Sequence, residues 1–238
     1  MSSDSVKTAI VTGASRGIGR HVALRLAQTG FQVALLARNQ ADLSTLAVEI
    51  ERTPGALAPL VIATDISDQG QVQRAAETLR KELSSITLLF NNAGANHPGS
   101  VNLSSAAFEK VIATNLNGVY YLLHELVPRF KEQRSGFIVN VGSVCSKSAF
   151  VGTGAYSASK YGLLGLSEAL HRELAADGIK VTTLCPSWVK TEMAAHCPLP
   201  PEQMLDPEDI FQAIQYLMSV GPNVAIKELV IDCRFDLL

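Results

Sequence analysis

Residues 6–19 read VKTAIVTGASRGIG, and this stretch decides the fold. The first part, residues 6–11, is a short run rich in β-branched residues, with the length of a buried strand. Residues 12–19 form a loop of small residues that opens an amphipathic helix. A strand that turns through glycine into a helix gathers free backbone N–H groups and a positive dipole end at one point, which suits a pyrophosphate. Gly13, Gly17 and Gly19 allow the tight turn, the approach of phosphates and close helix packing, with Ser15, Arg16 and Ile18 between them. The spacing is G-x-x-x-G-x-G rather than G-x-G-x-x-G.

The alternation begun there runs through the chain. Strands are expected at residues 6–11, 32–36, 57–63, 88–90, 136–141, 180–184 and 229–231. Helices are expected at 17–28, 40–52, 68–84, 106–131, 154–176 and 207–219. Apolar runs alternating with amphipathic helices imply a Rossmann-type, doubly wound α/β fold: a seven-stranded parallel sheet with helices on both faces. Asp68, and Asp206 with Pro207, are good helix starts. Pro198, Pro200 and Pro201 cannot continue a helix, so residues 193–205 read as irregular, within a lid at about 192–206.

The chain has 238 residues, 47% apolar and 18% charged, which suits a single well-buried domain spanning 1–238. A net charge of -2 offers no basic field for nucleic acid or anionic lipid. Cys145, Cys185, Cys197 and Cys233 have no metal-ligand spacing, so no metal is expected and the thiols read as reduced. No charged and apolar leader precedes Val6 and no apolar run is long enough for a membrane span, so the expected location is cytoplasmic.

The chemistry centres on Y-S-A-S-K at residues 156–160. A tyrosine and a lysine four apart share a helix face, so an ammonium can sit beside a phenol. Lowering a phenol from about 10 to about 7 takes ~4 kcal/mol, roughly what one positive charge ~4 Å away supplies at an effective dielectric of ~20. Burial alone would push the phenol the other way. In dinucleotide folds an acidic residue ends the second strand and binds the ribose. Here that position carries Arg38, which with Arg16 offers guanidinium donors matched to a 2'-phosphate, so NADP(H) is favoured over NAD(H).

Six motifs complete the pattern: T-G-A-S-R-G-I-G at 12–19, N-N-A-G at 91–94, Asn115, Ser143, Y-S-A-S-K at 156–160 and P-S-W-V-K-T at 186–191. In order and spacing the chain closely resembles the short-chain dehydrogenase/reductase family, in the compact branch similar to 3-oxoacyl-acyl-carrier-protein reductases. The resemblance implies that Tyr156 is the general acid in carbonyl reduction and the base in the reverse direction. Lys160 would lower its pKa and bind the nicotinamide ribose, Ser143 would hold the substrate oxygen, and Asn115 would position a water for proton resupply. It further assigns Asp65 and Ile66 to the adenine and Asn92, Ala93 and Gly94 to the adenosine. Pro186, Val189 and Thr191 would flank the nicotinamide.

Two departures stand out. Ser187 and Trp188 follow Pro186 where the family often has glycine first, and the chain closes with V-I-D-C-R-F-D-L-L rather than a D-G-G pattern. Leu163, Leu164, Leu166 and Leu170 give the helix at 154–176 more apolar surface than one sheet face needs, so a homodimer or homotetramer is expected. The expected activity is NADPH-dependent reduction of a small-molecule or carrier-linked carbonyl, such as a 3-oxoacyl thioester. The rivals are an oxidising alcohol or steroid dehydrogenase and a non-catalytic dinucleotide-sensing regulator.

Overall fold

The computed structural model describes residues 6–237. Its strands are β1 (Thr8–Thr12), β2 (Gln32–Ala37), β3 (Leu60–Ala63), β4 (Leu88–Asn91), β5 (Gly136–Val141), β6 (Ile179–Pro186) and β7 (Glu228–Ile231). Seven helices cross between them: α1 (Gly17–Gln28), α2 (Gln40–Glu51), α3 (Gln69–Glu82), α4 (Ser105–Ile112), α5 (Gly118–Gln133), α6 (Gly154–Glu173) and α7 (Pro207–Ser219). The strands form one parallel sheet in the order β3-β2-β1-β4-β5-β6-β7. The chain winds outward from β1 to β3 and then returns to β4. The crevice at the carboxyl ends of β1 and β4 is therefore the switch point where such sheets bind ligands.

Side chains alternate between the faces of each strand, so the sheet carries two cores. Val11 and Leu35 pack with Val22, Leu26, Leu46 and Phe211 on the side of α1, α2 and α7. Ile10 and Leu36 face the other way, toward Val72, Leu79, Leu126 and Leu163 on α3, α5 and α6. Capping follows the expected chemistry: Asp68 Oδ1 accepts from Gln71 N at 3.0 Å, and Asp206 Oδ1 from Glu208 N at 2.9 Å with Pro207 opening α7.

The structure revises several bounds. The first strand starts at Thr8 rather than Val6, which is exposed, and the third starts at Leu60 rather than at 57. Pro59 has no N–H to give a ladder, so pairing begins after it. The helix expected at 106–131 is two helices separated by a π turn, Ala113–Asn117. The buried Asn115 side chain bonds to Ala95 from within this π turn, and at Gly118, where α5 begins, a Cβ would stand 2.6 Å from the Ile66 carbonyl oxygen, so only glycine lets the helix approach so closely.

Among the described residues no helix is long and apolar enough to cross a membrane. The expectation about a leader before Val6 concerns residues 1–5, and the closing run ends on Leu238; these residues lie outside the described ones.

Candidate active site

β5 ends at Val141, and Ser143 follows as the cap of a short 3-10 turn. Ser143 Oγ accepts from Cys145 N at 3.1 Å while Ser146 Oγ accepts from Ser143 N at 3.1 Å. This reciprocal pair fixes the serine side chain, which is 8% exposed and lies beside the Tyr156 phenol. Tyr156 and Lys160 stand one turn apart on α6, and Lys160 is buried.

The ammonium lies beside the Tyr156 ring, and its hydrogen bond goes to the backbone. Lys160 Nζ donates to Val141 O at 2.6 Å and lies 5.5 Å from the centre of the Tyr156 ring. Burial disfavours the charged form of both groups. It pushes the Tyr156 phenol well above its ordinary value, opposed by the Ser143 hydroxyl, and brings Lys160 down to about 8. The phenol is thus raised, chiefly by burial, rather than lowered toward neutrality as the sequence suggests, and the Lys160 ammonium is engaged by a backbone carbonyl.

Asn115 is fully buried and joins three elements. Its Oδ1 accepts from Ala95 N at 2.7 Å, and its Nδ2 donates to Ala95 O at 2.9 Å and to Ser159 Oγ at 3.0 Å. Ser159 Oγ in turn donates to the carbonyl oxygen of Tyr156 at 2.6 Å. The loop after β4, the π turn and the helix bearing Tyr156 are thus locked together. Asn117, the other asparagine of the turn, is exposed.

The glycine loop packs against the segment after β4. Gly13 has φ +66°, and a Cβ there would meet Asn92 Nδ2 at 2.8 Å and Ala93 Cα at 2.9 Å. Thr12 Oγ1 accepts from Asn92 N at 2.9 Å and Ala93 N at 3.0 Å, while Asn92 Nδ2 donates to Thr12 O at 3.0 Å. Thr12 and Ser159 were absent from the sequence-derived site. Thr12 is legible only as the last residue before the glycines, and Ser159 only as the residue beside Lys160. A Cβ on Gly94 would make only ordinary contact with Asn115 Oδ1 at 3.5 Å, so the protein's own packing does not demand glycine there.

Side chains cap α2, α3, α4 and α7, whereas no side-chain cap is present on α1, α5 or α6. Arg16, which precedes that turn, and Arg38, just beyond β2, are both exposed. Among the described residues neither guanidinium makes an ion pair or a side-chain hydrogen bond. Asp65 Oδ1 accepts from Ser67 N at 3.0 Å and from Ser67 Oγ at 2.7 Å, leaving the cap of α3 to Asp68; the adjacent Ile66 is buried. Ser15 and Ile18 are half-buried in the loop. Pro186 ends β6, Val189 bridges to Leu205, and Thr191 Cγ2 would lie 3.2 Å from a Cβ on Gly17. The segment after β6 therefore returns to the glycine loop.

A sequence model described as short chain dehydrogenase matches residues 7–199. The chain belongs to this family. The short-chain dehydrogenase is 34% identical over 188 residues to the 3-oxoacyl-[acyl-carrier-protein] reductase FabG of Staphylococcus aureus, covering 79% of this chain and 76% of that protein. It superposes on a β-ketoacyl-[ACP] reductase (FabG) from Bacteroides thetaiotaomicron with a TM-score of 0.87 and 35% identity, covering 98% and 99% of the two chains. An alcohol dehydrogenase from Thermococcus sibiricus, solved with 5-hydroxy-NADP, aligns with a TM-score of 0.89 at 26% identity, covering 97% and 98%. This short-chain dehydrogenase is an oxidoreductase, and its uncapped α1 amides, tight glycine loop and unengaged guanidiniums fit a nicotinamide dinucleotide.

Proposed function

We propose that this short-chain dehydrogenase is an NADPH-dependent carbonyl reductase acting on a 3-oxoacyl thioester or another ketone or aldehyde. The observation that carries the reading is the convergence of Ser143, Tyr156 and Lys160 at the carboxyl end of β5, on the same sheet edge as the glycine loop after β1. When bound, the dinucleotide supplies the hydride. Ser143 donates a hydrogen bond to the substrate oxygen and orients it, and Tyr156 gives that oxygen its phenolic proton. Burial keeps this proton on Tyr156 across the neutral range. An alkoxide is a far stronger base than a phenolate, so the transfer runs downhill even from a raised phenol.

Lys160 remains charged below about pH 8 and binds the nicotinamide ribose, while Asn115 holds the loop and helix around it and positions the water that resupplies the proton. Gly13, Ser15, Gly17, Ile18 and Gly19 cradle the pyrophosphate, with Asp65, Ile66, Asn92, Ala93 and Gly94 around the adenosine. Pro186, Val189 and Thr191 flank the nicotinamide. Arg16 and Arg38 take the 2'-phosphate, which a free guanidinium matches with paired donors. Val101, Phe150, Val151 and Met193 are exposed apolar residues, the first three on loops joined by Gly99 N donating to Gly152 O at 2.6 Å, which suits an apolar carbonyl. Residues 1–238 act as one unit with a lid near 192–206. Leu163, Leu166 and Leu170 are taken up by the core rather than left as surplus apolar surface, so a homodimer or homotetramer would use the exposed face of Tyr161, Gly165 and Ala169, and the expected compartment is the cytoplasm.

The test is NADPH consumption with 3-oxoacyl thioesters, simple ketones, aldehydes and quinones. Tyr156→Phe should lower kcat by about 10²–10⁴-fold while NADPH still binds. Retention of most turnover in that variant would refute the mechanism. Tight NADPH binding without any reduction would favour the sensing role.

A further inference from the structure

The two places where the sequence departs from the family pattern touch each other in the fold. Ser187 Oγ donates to Asp236 Oδ2 at 3.0 Å, and Ser187 N donates to Ile231 O at 2.9 Å. A glycine at 187 would keep the second bond and lose the first. Within the same turn, closed by Asp236 N donating to Cys233 O at 2.9 Å, the buried Cys233 thiol donates to Gln203 O at 2.6 Å.

Gln203 belongs to the lid, and two further backbone bonds of the lid run to the turn after Pro186. Leu205 N donates to Trp188 O at 2.9 Å, and Lys190 N donates to Leu205 O at 2.9 Å, so the lid's end is laced to the turn that follows Pro186. Cys197, midway along the lid, has its thiol pushed up by burial first, with the Asp236 carboxylate and Cys233 adding in the same direction. The lid's beginning, at Thr191, approaches Gly17. The lid's end is also anchored at α7, where Asp206 N donates to Asp209 Oδ2 at 2.8 Å and Leu205 packs against the core; the contacts to 233–236 hold its middle.

We infer that residues 233–236 are a strap that sets the position of the lid and of the turn beside Pro186. Ser187, Cys233 and Asp236 are then positioning residues for the carbonyl substrate. The inference rests on the reductase reading for its effect on turnover, whereas the strap itself is a matter of geometry. Asp236 and Cys233 act through different atoms: the carboxylate holds the Ser187 hydroxyl, and the thiol holds a lid carbonyl. Losing either should loosen the substrate side while leaving Ser143, Tyr156 and Lys160 in place, since their own bonds run to β5 and α6.

The chain contains one tryptophan, Trp188, which reports on this turn without any turnover. In Asp236→Ala, Ser187→Gly and Cys233→Ala, acrylamide should quench Trp188 fluorescence more effectively than in the parent. KM for the best carbonyl substrate should rise about fivefold with kcat within about twofold, the scale of one lost hydrogen bond. Asp236→Asn should restore both values, because an amide oxygen still accepts from Ser187. Unchanged quenching and KM in Asp236→Ala and Cys233→Ala would overturn the strap, as would Asp236→Asn behaving like Asp236→Ala. If the parent reduces no carbonyl, the reductase reading fails while Trp188 quenching still decides the strap.

Discussion

Lys160 Nζ is bound to the carbonyl oxygen of Val141 at 2.6 Å, and the ring of Tyr156 lies beside it with its centre 5.5 Å away. The ammonium therefore ties α6 to the end of β5, and the strand that delivers Ser143 is held by the helix that delivers Tyr156. Its charge is stabilised by a carbonyl dipole rather than a carboxylate, which is too little to offset burial, and Lys160 loses its proton near pH 8.

This predicts an unusual pH dependence of stability. Lys160 deprotonates at about 8 in the folded chain and at its ordinary 10.5 when unfolded. Between these values the unfolded state binds more protons, so stability rises with pH, by on the order of 3 kcal/mol if this group acted alone. Tyr156, whose folded pKa is raised, acts with the opposite sign above its ordinary value of 10. Urea midpoints followed from pH 7.5 to 9.5 should show a rise in the parent relative to Lys160→Met. Parallel curves would contradict the assignment.

Asn115 should matter to the fold as well as to the site. Asn115→Ala strips partners from Ala95 N–H, Ala95 C=O and Ser159 Oγ in a buried setting and is expected to cost about 2–4 kcal/mol. Asn117→Ala, on the exposed side of the same turn, should stay within about 0.5 kcal/mol. Denaturant unfolding of the two variants makes the comparison. Equal losses would mean that the turn, rather than the Asn115 side chain, carries the stability.

Gly19 and Gly94 should respond differently to alanine. A Cβ on Gly19 would collide with the Gly13 carbonyl oxygen and the Asn92 amide, so Gly19→Ala should disrupt the loop, lower the thermal midpoint and abolish dinucleotide binding. Gly94→Ala meets only ordinary contacts and should keep its midpoint. If it nonetheless weakens NADPH binding by titration, the free space beside Gly94 is occupied by cofactor. If binding is unchanged, the proposed adenosine contact is wrong.

Arg38 bears on the choice of cofactor. Arg38→Asp replaces a free guanidinium with a carboxylate that repels a 2'-phosphate and accepts from a 2'-hydroxyl. The NADPH dissociation constant should rise about 10–100-fold, with NADH binding held or improved. Equal effects on both cofactors would remove Arg38 from the 2'-phosphate site.

The sequence alone determined the repeating strand and helix pattern, and with it the parallel sheet and the glycine turn into α1. These follow from local rules: apolar periodicity, capping by Asp68 and Asp206, and backbone freedom at Gly13. It also set Tyr156 and Lys160 on one face of α6, because helical geometry relates residues four apart. Tertiary structure alone decided where the Lys160 ammonium is spent, that Asn115 rather than Asn117 turns inward, and that the helix expected at 106–131 widens into a π turn that holds both. It decided as well that Thr12 holds the amides of Asn92 and Ala93, and that Ser187 meets Asp236. Thr12 and Asn92 are 80 residues apart and Ser187 and Asp236 are 49 apart. Contacts at such separations depend on sheet register and on which groups burial deprives of water, and neither is encoded in the spacing of neighbouring residues.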